Sequence, residues 1–185
     1  MKICALTYDH PHEKTAKCLS AMWLCGVAPS VIWAAPWKEK GARLDFNYHP
    51  ITYADKMGAK YIVKAHNAII EHRCDIGVIL GARILPQSVI DSFSLGIINI
   101  HPGRLPESRG LNAYEIEREL DGNGRITAHF INAKVDSGLR IAERIVPKYD
   151  DDTFEAFVYR MNAAQPPLLI DAISLISTDM EFEAI

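Results

Sequence analysis

Residues 99–110 read Asn-Ile-His-Pro-Gly-Arg-Leu-Pro-Glu-Ser-Arg-Gly, which is typical of a strand end followed by a loop. Asn99 and His101 are two residues apart, so on a strand their side chains project from one face. The prolines and glycines after His101 disfavour a helix and predict a loop that leaves this face open. The Asn99 amide and a protonated His101 imidazole can both donate to an oxyanion, and a neutral imidazole can take a proton. These are the abilities that acyl transfer requires. A polar strand end with a structural histidine is the alternative interpretation.

Outward from this stretch, apolar runs alternate with segments of helical spacing. We predict strands at residues 2–8, 31–35, 76–80, 96–100, 126–132 and 139–146, and helices at 11–25, 56–73 and 111–120. A short helix follows Pro86, residues 37–50 form a loop, and Pro166-Pro167 kink or restart a last helix that opens at Asp152. The alternation predicts a Rossmann-like α/β fold, with a mostly parallel sheet flanked by helices and a late antiparallel piece. A length of 185 residues predicts one catalytic domain over residues 1–185.

Composition excludes several classes of protein. The 20 Lys and Arg against 23 Asp and Glu give a net charge of −3, which offers no general attraction to nucleic acid or to an anionic membrane. Apolar runs are too short to cross a bilayer. The first apolar stretch is interrupted by Asp9 and His10, so we expect no secretory signal. Four cysteines without a Cys-x-x-Cys spacing then predict reduced thiols in a cytoplasmic protein.

Common cofactor motifs are missing from the chain. It has no Gly-x-Gly-x-x-Gly after the first strand, no phosphate-loop motif, no His-Glu-x-x-His and no Gly-x-Ser-x-Gly. Their absence argues against dinucleotide enzymes, phosphate-loop NTPases, zinc proteases and α/β-hydrolases. The run Asp9-His10-Pro11-His12-Glu13 has the residue types of a metal site, but a solvated helix start explains it better. We therefore predict no metal, and leave the roles of His10 and His12 open.

A second polar element is Val135-Asp136-Ser137-Gly138, which follows the strand that carries Thr127 and His129. An aspartate in a turn usually serves the turn itself. It becomes catalytic only if the fold brings it against His101, where its charge would favour the imidazolium. His129 is expected to pack in the core or to support other residues of the site.

Together, residues 99–110, Thr127-Ala128-His129-Phe130 and residues 135–138 resemble the formyltransferase family that uses 10-formyltetrahydrofolate. The family pattern has Asn-x-His-Pro, Leu-Pro-x-x-Arg-Gly, Thr-x-His and Asp-x-Gly, and all four occur here in order. The resemblance implies the formyltransferase fold, with Asn99, His101 and Asp136 as its catalytic trio. It further implies a folate pocket, to which we assign Arg83, Ile84, Leu85 and Val135.

The resemblance implies transfer of a formyl group from 10-formyltetrahydrofolate, as cosubstrate, to the amine of a small-molecule acceptor. Two alternatives stay open: a formyltetrahydrofolate hydrolase-like enzyme with water as acceptor, and a folate-binding module without catalysis. Neither nucleic acid nor membrane is expected as a partner, and a homo-oligomer is compatible with the resemblance.

Three departures from the family pattern bear on the acceptor and on the pocket. Family members that act on glycinamide ribonucleotide have a Gly/Ser-rich phosphate loop after the first strand, where this chain has Thr7-Tyr8-Asp9-His10-Pro11. An acid there would repel a phosphate. Gly103-Arg104 stands where the family has Ser-Leu, and Arg125 where it often has glycine. We also expect no room for the second domain of the methionyl-tRNA enzymes, so neither of these acceptors is the expected one.

Overall fold

The computed structural model describes residues 1–37, 45–81 and 84–178. The chain divides into two compact units, Met1–Ile97 and Ile98–Ile185. The single catalytic domain over residues 1–185 stays a prediction. Among the described helices, none combines the length and apolar character needed to cross a membrane.

The first unit holds a parallel sheet flanked by helices. Its strands are β1 (Ile3–Tyr8), β2 (Val31–Ala35), β3 (Lys60–Val63) and β4 (Ile76–Ile79), in the order β3-β2-β1-β4. Its helices are α1 (Glu13–Leu24), α2 (Pro50–Met57) and α3 (Gln87–Ile90), with a 3-10 helix at His66–His72. The strands β1, β2 and β4 are almost entirely buried, as expected for parallel strands covered on both faces.

The second unit is built on three antiparallel strands. They are β5 (Ile97–His101), which begins at the boundary of the units, β6 (Gly124–Phe130) and β7 (Arg140–Val146), with β6 in the middle. Helix α4 (Ala113–Glu119) lies between β5 and β6 in the chain, and α5 (Phe154–Ser177) packs on β6 and β7. A Cβ on Gly124 would lie 2.8 Å from the ring of Phe157, so glycine permits this close approach of α5. The predicted α/β class, with a parallel sheet flanked by helices, is confirmed.

One predicted helix is wrong. Residues 56–73 contain the end of α2, the strand β3 and the 3-10 helix instead of one long helix. Gly58 adopts a left-handed conformation (φ 65°), which ends α2 and redirects the chain. The following Tyr61, Ile62 and Val63 then pair with β2. Because β-branched and aromatic side chains suit a strand, these residues extend the sheet as an edge strand.

The predicted restart of the last helix at the double proline does not occur. Helix α5 runs without interruption from Phe154 to Ser177 and contains Pro166 and Pro167. Each proline lacks an N–H, so two carbonyls of the preceding turn lose their helical donor. The helix persists because the turns on both sides are held by buried apolar side chains, among them Met161 and Leu169.

Candidate active site

The pairing of β5 with β6 brings together four polar side chains, two of them from the predicted site. In the antiparallel register, Asn99 lies opposite His129 and His101 lies opposite Thr127. Facing residues on antiparallel strands are close enough for their side chains to interact. Thr127 donates from Oγ1 to the carbonyl of Gly103 at 2.8 Å, which ties the strand to the loop after β5.

The loop after β5 covers His101 and does not leave its face open as predicted. The His101 side chain is only 4% exposed, and its Nε2 lies 2.6 Å from the carbonyl oxygen of Ser108. A carbonyl oxygen only accepts, so Nε2 carries the proton and donates. The other ring nitrogen, Nδ1, lies 3.4 Å from Oδ2 of Asp136. A lone pair on Nδ1 would face a carboxylate, and the imidazolium form of His101 is therefore favoured.

Asp136 occupies a constrained turn between β6 and β7. Its backbone is in the left-handed region (φ 47°), which Asp tolerates better than most residues. The N–H of Gly110 donates to Oδ2 at 3.1 Å, and Nε of Arg109 donates to the backbone carbonyl at 2.8 Å. At Gly138 a Cβ would lie 1.7 Å from the carbonyl oxygen of Phe130, so only glycine fits. The Asp-x-Gly spacing therefore allows the chain to form this turn, and the turn directs the Asp136 carboxylate at His101.

The environment of Asp136 keeps its carboxyl group ionised. Burial raises its pKa, but the hydrogen bond with His129, the charge of His101 and the N–H of Gly110 outweigh burial and leave the pKa below its usual value. Asp136 is therefore a carboxylate at neutral pH. By reciprocity, its charge stabilises protonated His101.

His129 connects Asn99 to Asp136. Its Nδ1 lies 2.8 Å from the carbonyl oxygen of Phe130 and therefore carries a proton. Its Nε2 lies 3.3 Å from Nδ2 of Asn99 and 3.6 Å from Oδ1 of Asp136. A protonated Nε2 donates to Asp136, whereas an Nε2 with a free lone pair accepts one hydrogen from the Asn99 amide. The amide nitrogen has a second hydrogen, which can donate to a ligand oxygen.

The structure thus places Asn99, His101 and Asp136 in one cluster around His129, all within the second unit. Sequence reasoning expected a supporting role for His129, and the contacts agree with that expectation. It missed Ser108 and the Gly110 N–H, because backbone groups leave no signature in residue types. The catalytic roles of the trio stay predictions that this geometry supports.

The predicted folate contacts are less well defined. Arg83 lies outside the described residues, Ile84 is 87% exposed, Leu85 is buried and Val135 is 59% exposed. Exposed apolar side chains such as Ile84 and Val135 are suited to contacting a ligand ring. Their assignment to a folate pocket stays a prediction.

The turn after β1 is organised by structural contacts. Asp9 accepts a hydrogen bond from the Tyr61 hydroxyl at 2.7 Å and lies 3.6 Å from Nε2 of His49. His12 is the N-cap of α1, where its side chain accepts from the N–H of Thr15. Within residues 1–37, 45–81 and 84–178, no group of three or more His, Cys, Asp or Glu side chains is arranged to hold a metal ion. The contact of His12 agrees with the helix-start interpretation of this run.

The lowered pKa of Asp136 predicts how acid affects stability. A carboxyl whose pKa is lower in the folded than in the unfolded protein stabilises the fold above its unfolded pKa, about 3.9. That contribution is lost as pH falls through the folded pKa. Asp136→Asn keeps the shape and removes the charge, so its loss of stability relative to wild type should be constant above about pH 5 and shrink below about pH 4. Urea unfolding of both proteins across this range measures the difference, and a difference independent of pH would contradict the assignment.

Comparisons with known proteins identify a family for this chain. A family model described as formyl transferase matches residues 53–173. A phosphoribosylglycinamide formyltransferase of Schizosaccharomyces pombe is 28% identical over 185 aligned positions, which cover 95% of this chain and 84% of that protein. A trifunctional purine biosynthetic protein of Chironomus tentans is 31% identical over 118 residues, which cover 63% of this chain but only 9% of that protein.

Solved structures share the fold. An N-formyltransferase from Helicobacter canadensis, solved with folinic acid and dTDP-3-aminofucose, aligns with a TM-score of 0.75 at 18% identity. The alignment covers 100% of this chain and 66% of that one.

Proposed function

The chain belongs to the formyl transferase family, and from that premise we propose that it is an N-formyltransferase. It transfers a formyl group from 10-formyltetrahydrofolate to the amine of a small-molecule acceptor. The observation that carries this proposal is the cluster in which the Asn99 amide, the His101 imidazolium and the Asp136 carboxylate meet through hydrogen bonds and ion pairs. Two hydrogen-bond donors and one base are the groups that formyl transfer requires.

In this reaction a neutral amine attacks the formyl carbon, and a tetrahedral centre with an oxyanion forms. Asn99 donates its second amide hydrogen to that oxygen, while the positive charge of His101 stabilises the developing negative charge. Asp136 keeps His101 protonated through their contact. The new carbon–nitrogen bond is formed as the bond from the formyl carbon to the folate nitrogen breaks. The attacking amine loses a proton and the folate nitrogen gains one, and Asp136 is placed to relay this proton through water.

The same residues could serve water as the acceptor, so the hydrolase alternative must be tested directly. Incubation with 10-formyltetrahydrofolate, with and without a panel of amino sugars and amino acids, separates the possibilities. Amine-dependent release of tetrahydrofolate supports the transferase. Formate release at the same rate without amine favours the hydrolase, and folate binding without turnover favours the binding module.

Acceptors without a phosphate group fit the turn after β1 best. Burial lowers the pKa of His49, with His10 adding to the effect, and this outweighs the opposing charge of Asp9. His49 is therefore neutral near physiological pH and does not cancel the negative charge of Asp9. The Asp9 side chain is 34% exposed, so its charge can act on a ligand.

Glycinamide ribonucleotide is accordingly expected to be a poor substrate. If its phosphate binds at the turn after β1, it meets the Asp9 carboxylate, and kcat/KM should be at least about tenfold lower than for the best amine without phosphate. Asp9→Asn retains an oxygen that accepts from the Tyr61 hydroxyl and removes the negative charge. It should therefore reduce the difference in kcat/KM between glycinamide ribonucleotide and the best amine without phosphate. Efficient formylation of glycinamide ribonucleotide by the wild type would contradict the interpretation of Asp9.

We place the activity in the cytoplasm. The supporting observation is that Cys4, Cys18, Cys25 and Cys74 are all free thiols.

A further inference from the structure

One fully buried charged side chain among the described residues of the second unit is not a predicted catalytic residue. Glu117, on α4, has a side chain with 0% exposure. Its Oε1 accepts from Nε of Arg104 at 2.9 Å and from the N–H of Arg125 at 2.8 Å, and its Oε2 accepts from the N–H of Arg104 at 2.9 Å. A buried carboxylate is tolerated only when it is paired and hydrogen-bonded in this way.

Arg104 is bound on its other side as well. Its terminal guanidinium nitrogen donates to the carbonyl oxygens of Asn123, at 2.8 Å, and Asp121, at 3.3 Å. One guanidinium therefore joins the loop after β5 to helix α4 and to the segment before β6. A planar guanidinium with several fixed donors can hold this geometry, whereas a lysine ammonium cannot reproduce it.

From Arg104, hydrogen bonds lead directly to His101. The Arg104 carbonyl accepts from the N–H of Ser108 at 2.9 Å and from its Oγ at 2.6 Å. The Ser108 carbonyl in turn accepts from Nε2 of His101 at 2.6 Å. A Cβ on Gly103 would lie 2.0 Å from Ser108 Oγ, so glycine is required for this tight packing.

We propose that Arg104 and Glu117 are positioning residues, whose buried ion pair holds the Ser108 carbonyl against Nε2 of His101 and so directs Nδ1 at Asp136. The ion pair acts on the reaction only through His101, and the effect on turnover rests on the proposed function. The ion pair depends on a departure of this chain from the family pattern, since Arg104 stands where that pattern has leucine.

The proposal predicts a single ring tautomer for His101. The charged or titratable groups facing its ring include Asp136 in the turn after β6, His129 on β6 and, through the Asp136 backbone, Arg109 of the loop. The Ser108 carbonyl accepts from Nε2 and so keeps the ring proton of His101 on that nitrogen. If the loop is released, that carbonyl moves away and neutral His101 can place its proton on Nδ1, towards Asp136.

The experiment measures the ring ¹⁵N shifts of His101 by NMR in the free protein, together with steady-state kinetics. Arg104→Met removes the guanidinium. Arg104→Lys keeps the positive charge but lacks the planar group with several fixed donors. Arg144→Met is the matched control, because Arg144 makes a surface ion pair with Asp171 at 2.6 Å in the same unit. Wild type and control should keep Nε2 protonated on both sides of the titration, whereas Arg104→Met should show a mixture of tautomers. Arg104→Lys should lie nearer to Arg104→Met than to wild type.

The kinetic result should follow the NMR result. We expect kcat to fall between about 10-fold and about 100-fold in Arg104→Met, as for a misplaced catalytic group, with little change in KM. If this variant fails to fold, Arg104→Lys gives the answer, since an ammonium cannot reproduce the guanidinium bonds to Glu117, Asn123 and Asp121 together. A folded Arg104→Met, or Arg104→Lys in its place, with the wild-type tautomer would overturn the proposal. The NMR measurement needs no substrate, so it stands even if formyl transfer is not the activity.

Discussion

His101→Ala is expected to lower kcat/KM for formyl transfer by at least about 100-fold. The side chain supplies the positive charge next to the oxyanion, and no other cation among the described residues makes the same contacts with Ser108 and Asp136. The loss should fall mainly on kcat, because the charge on His101 acts in the transition state more than on the bound substrates.

The burial of His101 makes a stability control necessary. Alanine leaves the buried Ser108 carbonyl without its ring partner, and an unsatisfied buried group costs about 1–3 kcal/mol. His101→Gln is the better-matched variant, because its amide can donate to the Ser108 carbonyl from near the Nε2 position but bears no charge. It should fold like the wild type and still lose most of the activity. A folded His101→Gln with turnover within a few-fold of wild type would remove the imidazolium from the mechanism.

Asn99→Ala should remove about 2.7–4 kcal/mol of transition-state stabilisation, the typical loss for one oxyanion donor. That corresponds to a decrease in kcat of about 10²–10³-fold. Asn99 is only partly buried, and the contact it gives up in the protein is the hydrogen bond to His129 at 3.3 Å. The expected loss of stability is therefore small compared with the loss of activity.

Asn47→Ala is a suitable control for this measurement, because Asn47 is exposed and the same side-chain atoms are deleted. Its kcat should equal that of the wild type. If Asn99→Ala also retained wild-type kcat, then Asn99 would serve only to orient His129, and another donor would have to stabilise the oxyanion.

How much the sequence could predict depends on the kind of interaction. Asn99 and His101 were found because alternation on a strand puts residues two apart on one face, and the structure places them on β5. The contact between His101 and Asp136 could not be derived from spacing, since it depends on the turn after β6 folding back to the loop after β5. It was predicted only through the family resemblance.

Other features were hidden for physical reasons. The strand β3 was mistaken for helix because its four residues, Lys60–Val63, are too few to show an alternating pattern. The burial of His101 depends on a backbone carbonyl. The burial of Glu117 depends on three donors from two segments that are distant in the sequence, at Arg104 and Arg125. Side-chain chemistry alone predicts exposure for a glutamate, so the sequence gives no sign that this one is enclosed.

The fate of the formyl carbon tests the central claim most directly. The protein is incubated with 10-formyltetrahydrofolate labelled with ¹³C in the formyl group, together with a panel of amino sugars and amino acids, and the label is followed by NMR. The account predicts that the label moves into an N-formyl amide of one acceptor, and that His101→Gln abolishes this transfer. Label that ends as free formate at the same rate with and without amine would contradict the account.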